Sequence, residues 1–408
     1  MIIELVQHSS IPSLTILAVL LVAFVFQVVY YVRYLMAPLR FMRRAALTES
    51  RSTESECGTS QQLDLFAKPV TGVSVIVCAR NEAANLRPYL KSVLEQDFPL
   101  FEVIVVNDGS EDATQAVIDE YMVQYHNLRT TFVPVDARVR SSKKLALTLA
   151  IKAARYDYLV LTDADCCPQS SKWLSLMMNG FERSESLTNK YGPVQVVLGY
   201  GAYFNDSHAI NTLIQYDTLF NGLQYMGFAM CGYPYMGVGR NLAYRKSLFL
   251  SRQGFSGMLN ERSGDDDLFV NHVATAHNTE VVLSRDALTW SVPKTSFSQW
   301  IQQKRRHLTV APLYKASSRL RLGLEPVMRA LFYASFILCF VLGSPIMWAI
   351  AGGAFLVRLL VQGLTMNLSS SRLGGTWFGL SLIGLDILLP LINAWLLITM
   401  HRSDHQRW

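Results

Sequence analysis

The stretch that decides the fold is Tyr158-Leu159-Val160-Leu161-Thr162-Asp163-Ala164-Asp165. Its apolar first half reads as a buried strand, and two carboxylates one residue apart stand just past the strand end. Carboxylates so placed hold a divalent cation and leave coordination positions open for a diphosphate. Taken alone, Asp-x-Asp also describes a solvated acidic turn. The neighbouring elements decide between the two.

Upstream, residues 73–78, 101–106 and 128–133 read as further strands, and 112–125 and 143–154 carry helical spacing. Asn81 is placed to cap the helix after the first strand, with Pro88 at or near that helix's start. Strands joined by helices of this length form a parallel sheet with right-handed crossovers. Near-continuous Val/Ile runs fit strands buried on both faces. Ligands of open parallel sheets bind beyond the carboxyl ends of the strands. Three polar clusters stand at such ends: Ala79-Arg80-Asn81-Glu82, Asn107-Asp108-Gly109-Ser110 and Asp163-Ala164-Asp165. They are expected on one edge. No Gly-x-Gly-x-x-Gly follows the first strand and there is no Walker-type Gly-Lys-Ser/Thr, so dinucleotide and P-loop folds are disfavoured; Gly237-Val238-Gly239 lacks the third glycine.

The 408 residues are 50% hydrophobic and 17% charged, with mean hydropathy +0.21. That is too apolar for an ordinary soluble protein, and membrane spans are expected. Residues 11–36 form one. Residues 327–362 are too long for a single span and break at Gly343-Ser344-Pro345, and 380–400 form another, giving two or three C-terminal passes. Arg358 and Asp386 fall inside these runs, where pairing or snorkelling is expected. Residues 48–62 read as a flexible linker. The expected organisation is a membrane helix at 11–36, a basic juxtamembrane segment and linker at 37–69, a catalytic domain at 70–310 and a membrane region at 327–400.

Net charge is +6. Arg33, Arg40, Arg43, Arg44 and Arg51 follow the first span; Lys304, Arg305, Arg306, Lys315, Arg319, Arg321 and Arg329 precede or open the second apolar region. Such flanks place the chain in the cell (inner or plasma) membrane, multi-pass, with its catalytic domain cytoplasmic and its bases against anionic lipid headgroups rather than nucleic acid. Too much of the chain lies outside the spans for a transporter. The six cysteines form no Cys-x-x-Cys pair and read as free thiols. The tyrosine-rich stretch 194–249 reads mostly as core, with some rings able to line a sugar or lipid groove.

Two further clusters carry chemistry. Gly264-Asp265-Asp266-Asp267-Leu268 offers a general base, or only an acidic helix start. Gln302-Gln303-Lys304-Arg305-Arg306-His307 offers cations to a diphosphate, or a membrane-facing patch.

The ordered set resembles the membrane-bound inverting family 2 glycosyltransferases with the GT-A fold, over about 70–307. Val-Ile-Val-Cys-Ala-Arg-Asn-Glu is similar to that family's first strand and loop. Asn107-Asp108-Gly109-Ser110 is similar to its Asp-Asp-Gly-Ser, and Lys143-Lys144-Leu145-Ala146-Leu147 to its Gly-Lys-x-x-Ala-Leu. Asp163-Ala164-Asp165 matches its metal motif. Residues 264–268 resemble its Glu-Asp-x-Asp-Leu, and 303–307 its Gln-x-x-Arg-Trp.

The resemblance implies an α/β, mostly parallel, Rossmann-like GT-A domain flanked by membrane helices. It implies Mg2+ or Mn2+ on Asp165 and Asp163, and a nucleotide-diphospho-sugar held by Ala79, Arg80, Asn81, Glu82, Asp108, Lys143, Asp163, Gln303, Arg306 and His307. It places the catalytic base at Asp265. The family's Glu is Gly264 here, which leaves Asp266 as a competitor for the base. The family's Trp is His307, which, with few spans, argues against polymer extrusion. The implied reaction is transfer to a sugar or lipid-linked acceptor. A processive polysaccharide synthase and a catalytically inactive membrane scaffold are the alternatives.

Overall fold

A computed structural model of the chain describes residues 11–44, 71–133, 142–182, 192–259, 261 and 263–403. The linker expected at 48–62, with Arg51 and Cys57, lies outside them.

Helix α1 (Ile11–Tyr30) passes into a π-helical turn (Tyr31–Leu35). Then come β1 (Val73–Ala79), α2 (Ala83–Leu94), β2 (Phe101–Asn107), α3 (Thr114–Gln124), β3 (Leu128–Phe132), α4 (Ser142–Ala153) and β4 (Tyr158–Asp163). Next are β5 (Cys166–Pro168), α5 (Trp173–Glu182), β6 (Val196–Leu198), β7 (Gly201–Tyr203), α6 (Ile210–Met230), β8 (Leu242–Arg245) and α7 (Lys246–Ser251). Last come α8 (Asp267–Val273), β9 (Thr279–Val281), β10 (Thr289–Ser291), α9 (Phe297–Leu308), α10 (Ala316–Leu342), α11 (Pro345–Arg372) and α12 (Ser381–Ser403).

The main sheet has strand order β3-β2-β1-β4-β8-β6-β9, and a small sheet has order β5-β10-β7. In the main sheet β1 pairs in parallel with β2 and β4, and β8 alone runs against its neighbours β4 and β6. Successive side chains of β1 face opposite layers. Val75 and Val77 pack with Leu86 and Leu90 of α2, whereas Ile76 packs with Ala146 and Ile151 of α4.

One expectation about α2 needs correction. Glu82, not Asn81, is its N-cap residue, and Pro88 lies inside the helix. Asn81 takes a left-handed φ of 56°. Its backbone N–H donates to Ser110 Oγ (3.0 Å), and its Oδ1 accepts from the Glu111 N–H (2.8 Å). The residue ties two loops together and is not available to cap a helix.

Among the described residues, four helices are long and apolar enough to cross a membrane: 11–44, α10, α11 and 381–399. The break between α10 and α11 falls at Gly343-Ser344, as the sequence suggests. Four charges deep within the last three of them are paired. Asp386 of α12 accepts from Arg358 Nη2 (2.7 Å), Arg329 Nη1 (3.0 Å), Tyr333 Oη (2.6 Å) and Gln362 Nε2 (2.7 Å). Arg329 also pairs with Glu325. Gln27 of α1 accepts from Arg358 (3.2 Å), so four helices meet at one buried polar knot. Glu325, Arg329, Arg358 and Asp386 are all at most 3% exposed.

The tyrosine-rich stretch is largely core, with Tyr200, Tyr216, Tyr225, Tyr235 and Tyr244 buried. Its longest element is α6, a helix buried on nearly every side. A Cβ on Gly227 of α6 would lie 2.0 Å from the Tyr34 carbonyl oxygen, so only glycine permits this approach to the first helix. The Tyr216 hydroxyl receives Gln362 Nε2 at 3.1 Å, joining α6 to the polar knot.

Candidate active site

The register of the parallel strands brings the polar clusters together. Ala79 is paired with Asn107, and Cys78 with Asp163, so β1, β2 and β4 end level with one another. The Cys78 thiol lies within electrostatic reach of Lys143, Asp163, Asp265 and Asp108, which therefore surround one cleft. The cleft is open. The side chains of Lys143 and Asp163 are 41% and 32% exposed. Two hollows lie elsewhere: a gap of about 10 Å³ beside Tyr203 and Trp290, and an open apolar groove of about 390 Å³ along α11.

At the centre stands Lys143, in the first turn of α4. Its Nζ lies 3.1 Å from Asp163 Oδ1 and 3.2 Å from Asp265 Oδ2. Burial disfavours the Lys143 ammonium, but Asp163, Asp265 and Asp266 outweigh it and hold its pKa well above the ordinary lysine value. Burial likewise pushes Asp163 up, yet Lys143, with Arg240 and His307, brings its carboxyl below the usual range. Asp165 is raised by burial and by the charge of Asp163. Glu82 is raised by burial, with Asp165 and Asp163 adding to it, so the first loop faces the Asp-x-Asp pair.

The second acidic cluster divides into distinct roles. Gly264 has φ +90°, and a Cβ there would stand 2.6 Å from Leu268 Cδ1. The turn therefore excludes the Glu of the resembled motif. Asp266 caps α8: Oδ1 accepts from the Asp267 N–H (2.8 Å), and Oδ2 from the Gly239 N–H (2.7 Å). Burial, then Asp265 and Asp267, push its carboxyl up to about 7. Asp267 is 5% exposed and accepts from the Leu268 N–H (2.7 Å) and Tyr314 Oη (2.7 Å). Burial raises it to about 6. Asp265, paired with Lys143, faces the cleft.

The remaining site candidates are less uniform. Asp108 is 7% exposed, its N–H donating to the Ala79 carbonyl (2.8 Å). Arg80 and Asn81 are exposed, and Ala79 is buried. Gln303 Nε2 donates to Tyr203 Oη (2.9 Å). Arg306 and His307 are exposed on α9. Although its ring reaches solvent, His307 is crowded by protein. That crowding, with Arg306, Arg240 and Lys304, lowers its pKa to about 4, so the ring is neutral at pH 7. Its influence on Asp163 places it near the cleft.

Residues 74–242 match the profile of Glycosyl transferase family 2, and residues 159–398, more than half the chain, match Glycosyl transferase family group 2. The chain belongs to that family. Over 96 residues this glycosyltransferase is 36% identical to a poly-beta-1,6-N-acetyl-D-glucosamine synthase of Staphylococcus epidermidis, covering 24% of the chain and 22% of the relative. Over 102 residues it is 32% identical to the enzyme of that name from Staphylococcus aureus (strain COL), covering 25% and 24%. The match thus spans about a quarter or less of these relatives' length. Among solved structures it is similar in fold to the mannosyltransferase PcManGT from Pyrobaculum calidifontis, in complex with GDP-Man and Mn2+. That likeness has a TM-score of 0.50 and 19% identity, over 87% of this chain and 98% of that one. The fold of the glycosyltransferase is accordingly GT-A, with, among the described residues, one candidate membrane helix near the N-terminus and three in the C-terminal part.

Two residues beside the acidic pair were not legible in the sequence. Arg240 is a cation near Asp163 and Asp165. Its Nη1 donates to the Ala202 carbonyl (3.0 Å) and Ser291 Oγ (3.3 Å), and its guanidinium lies 4.2 Å from the Tyr203 ring centre. It follows Gly237-Val238-Gly239, a stretch with no periodic signal. Cys166 read only as one of six free thiols. Its Sγ lies 3.0 Å from Ser291 Oγ and joins Asp163 and Asp165 in a group whose ligand atoms are within 4.8 Å of one another.

Proposed function

We propose that this glycosyltransferase moves a sugar from a nucleotide-diphospho-sugar to an acceptor hydroxyl in one inverting displacement, at the cytoplasmic face of a membrane. The observation that carries the proposal is the Lys143 bridge between Asp163 and Asp265. Lys143 stands between Asp163, which we assign to the donor side, and Asp265, which we assign as the base.

The donor set suits a hard divalent cation. Asp163 and Asp165 flank Ala164 with Glu82 beside them, and the two Asp carboxyls are driven in opposite directions by their shared surroundings. Asp165, helped by Asp163, would hold Mg2+ or Mn2+; the thiol of Cys166 is softer and engaged by Ser291. Such a cation, when bound, offsets charge on the departing diphosphate. Asp108 and the 79–82 loop hold the nucleoside, and Arg306, Lys143 and Arg240 supply fixed positive charge.

Asp265 takes the acceptor's proton as its oxygen attacks the anomeric carbon from the face opposite the donor phosphate. The anomeric C–O bond to the phosphate breaks, and the nucleoside diphosphate leaves. General-base help of this kind is worth roughly 10²–10⁴-fold. Asp266, with its pKa near 7, would titrate suitably, but both its oxygens are engaged by backbone N–H groups, which favours Asp265.

The full-length chain in detergent would be screened with UDP-N-acetylglucosamine, UDP-glucose and GDP-mannose for nucleoside diphosphate release, with and without EDTA. Asp165→Ala should lose metal-dependent donor binding. Asp265→Asn should keep donor affinity and lose turnover. Release indifferent to EDTA refutes the cation, and full activity of Asp265→Asn refutes the base.

A second reading, processive synthesis of a polysaccharide, is favoured by the local similarity to poly-beta-1,6-N-acetyl-D-glucosamine synthases. Product length on a sugar or lipid-linked acceptor separates it from single transfer. A ladder of products supports synthesis, and one added sugar supports single transfer.

A further inference from the structure

Lys143 has a neighbour that the chemistry above does not use. Lys144 is 0% exposed, an unusual environment for an ammonium in the first turn of a helix. Its Nζ donates to three main-chain carbonyls: Met258 (2.9 Å), Glu261 (2.7 Å) and Ser263 (2.7 Å). An ammonium has three N–H donors on one atom, and here each has a carbonyl to meet. All three carbonyls belong to the short segment that leads into Gly264 and Asp265.

Two consecutive lysines at the head of α4 therefore hold the same turn. Lys144 grips the backbone before it, and Lys143 meets the carboxylate it presents. Glycine at 264 leaves that turn little intrinsic preference for one conformation. Its position is set from outside, and the buried ammonium makes three charge-assisted hydrogen bonds that set it. An apolar side chain would fill the same space but would leave three partly buried carbonyls without this donor.

We propose that Lys144 is a positioning residue for the reaction. It clamps the segment before Gly264 so that Asp265 is presented to the acceptor hydroxyl across from Asp163. The proposal rests on Asp265 being the base. It makes a demand that a general structural role does not. Lys144 must act through Asp265, so its loss must matter for turnover only while that carboxylate is present.

The test is a double-mutant cycle on the full-length chain in detergent, using whichever of UDP-N-acetylglucosamine, UDP-glucose and GDP-mannose is turned over. Lys144→Met should lower kcat roughly 10–100-fold, the loss expected when a reacting group is displaced by about 1 Å. Donor KM should stay within about threefold, because the donor-side carboxylates lie on other strands. In the Asp265→Asn background the same substitution should change the residual rate by less than about twofold. If Lys144→Met does not fold, Lys144→Arg carries the cycle. It keeps the buried charge but cannot aim three N–H groups from one atom, and the same collapse is expected. Multiplicative losses in the double variant overturn the proposal, as do parallel losses of donor affinity and turnover. So does unchanged kcat in a folded Lys144 variant when Asp265→Asn is inactive. Full activity of Asp265→Asn alone removes the base and the clamp together, and is seen in the single variant.

Discussion

Replacing Lys304 with methionine strands a buried carboxylate. Lys304 Nζ sits 2.7 Å from both oxygens of Asp217, and the two side chains are only 9% and 12% exposed. After the change, Asn221 Nδ2 at 3.0 Å is the donor left to Oδ1. Breaking a buried pair from one side costs about 3–5 kcal/mol. The pair joins α9 to α6, so the cost falls on the docking of the helix that carries Gln303, Arg306 and His307. At about 1.4 kcal/mol per tenfold, opening of α9 should rise by roughly 10²–10⁴-fold. Hydrogen exchange of the α9 amides in the detergent-solubilised chain reads this directly. Arg87→Met is the control. Its partner is Glu120, the two side chains are 57% and 52% exposed, and an exposed pair is worth about 0–1 kcal/mol. Adding Asp217→Leu to Lys304→Met should restore most of the protection, because replacing both members of a buried pair with apolar groups is close to neutral. Unchanged exchange in Lys304→Met, or a double variant weaker than the single, refutes the reasoning.

Two further outcomes follow from the geometry. The carboxyls of Asp266 and Asp267, raised to about 7 and about 6, hold protons that the unfolded chain releases near pH 4. Their contribution to stability is full below about pH 4 and is lost as pH rises through 6 and 7. Asp267→Asn, whose amide can still meet the Leu268 N–H and the Tyr314 hydroxyl, should flatten the fall in Tm between pH 4.5 and 7.5; an identical slope in the variant counts against it. Gly227→Ala should destabilise by about 1–3 kcal/mol or more, since its Cβ meets the Tyr34 backbone oxygen at 2.0 Å. Gly257→Ala, with nothing within 4 Å, should not change Tm by a comparable amount.

The elements that positioned the cleft were legible because their signals are local. Val/Ile runs ending in polar clusters marked β1, β2 and β4, and parallel pairing then set those ends level. Helix α6 was not legible as a helix: it is buried nearly all round, which erases the apolar stripe that marks a surface helix. Asn81 looked like a cap because its residue type prefers caps, but a contact with Ser110, 29 positions away, determines its conformation. The choice among Asp265, Asp266 and Asp267 was equally hidden. It depends on which carboxylates are taken by Gly239, Leu268 and Tyr314, partners that composition does not reveal. Lys144 carried no signal of its own, because nothing in its sequence context announces the three carbonyls it meets.

The polar knot among the membrane helices has an electrical corollary. Two guanidinium groups face two carboxylates, Arg329 and Arg358 against Glu325 and Asp386, so the cluster sums to zero. A single unbalanced charge crossing a 100 mV gradient would exchange about 2.3 kcal/mol with it. A balanced quartet gives the voltage no net charge to pull on, so an energised and a depolarised bilayer would hold this knot alike.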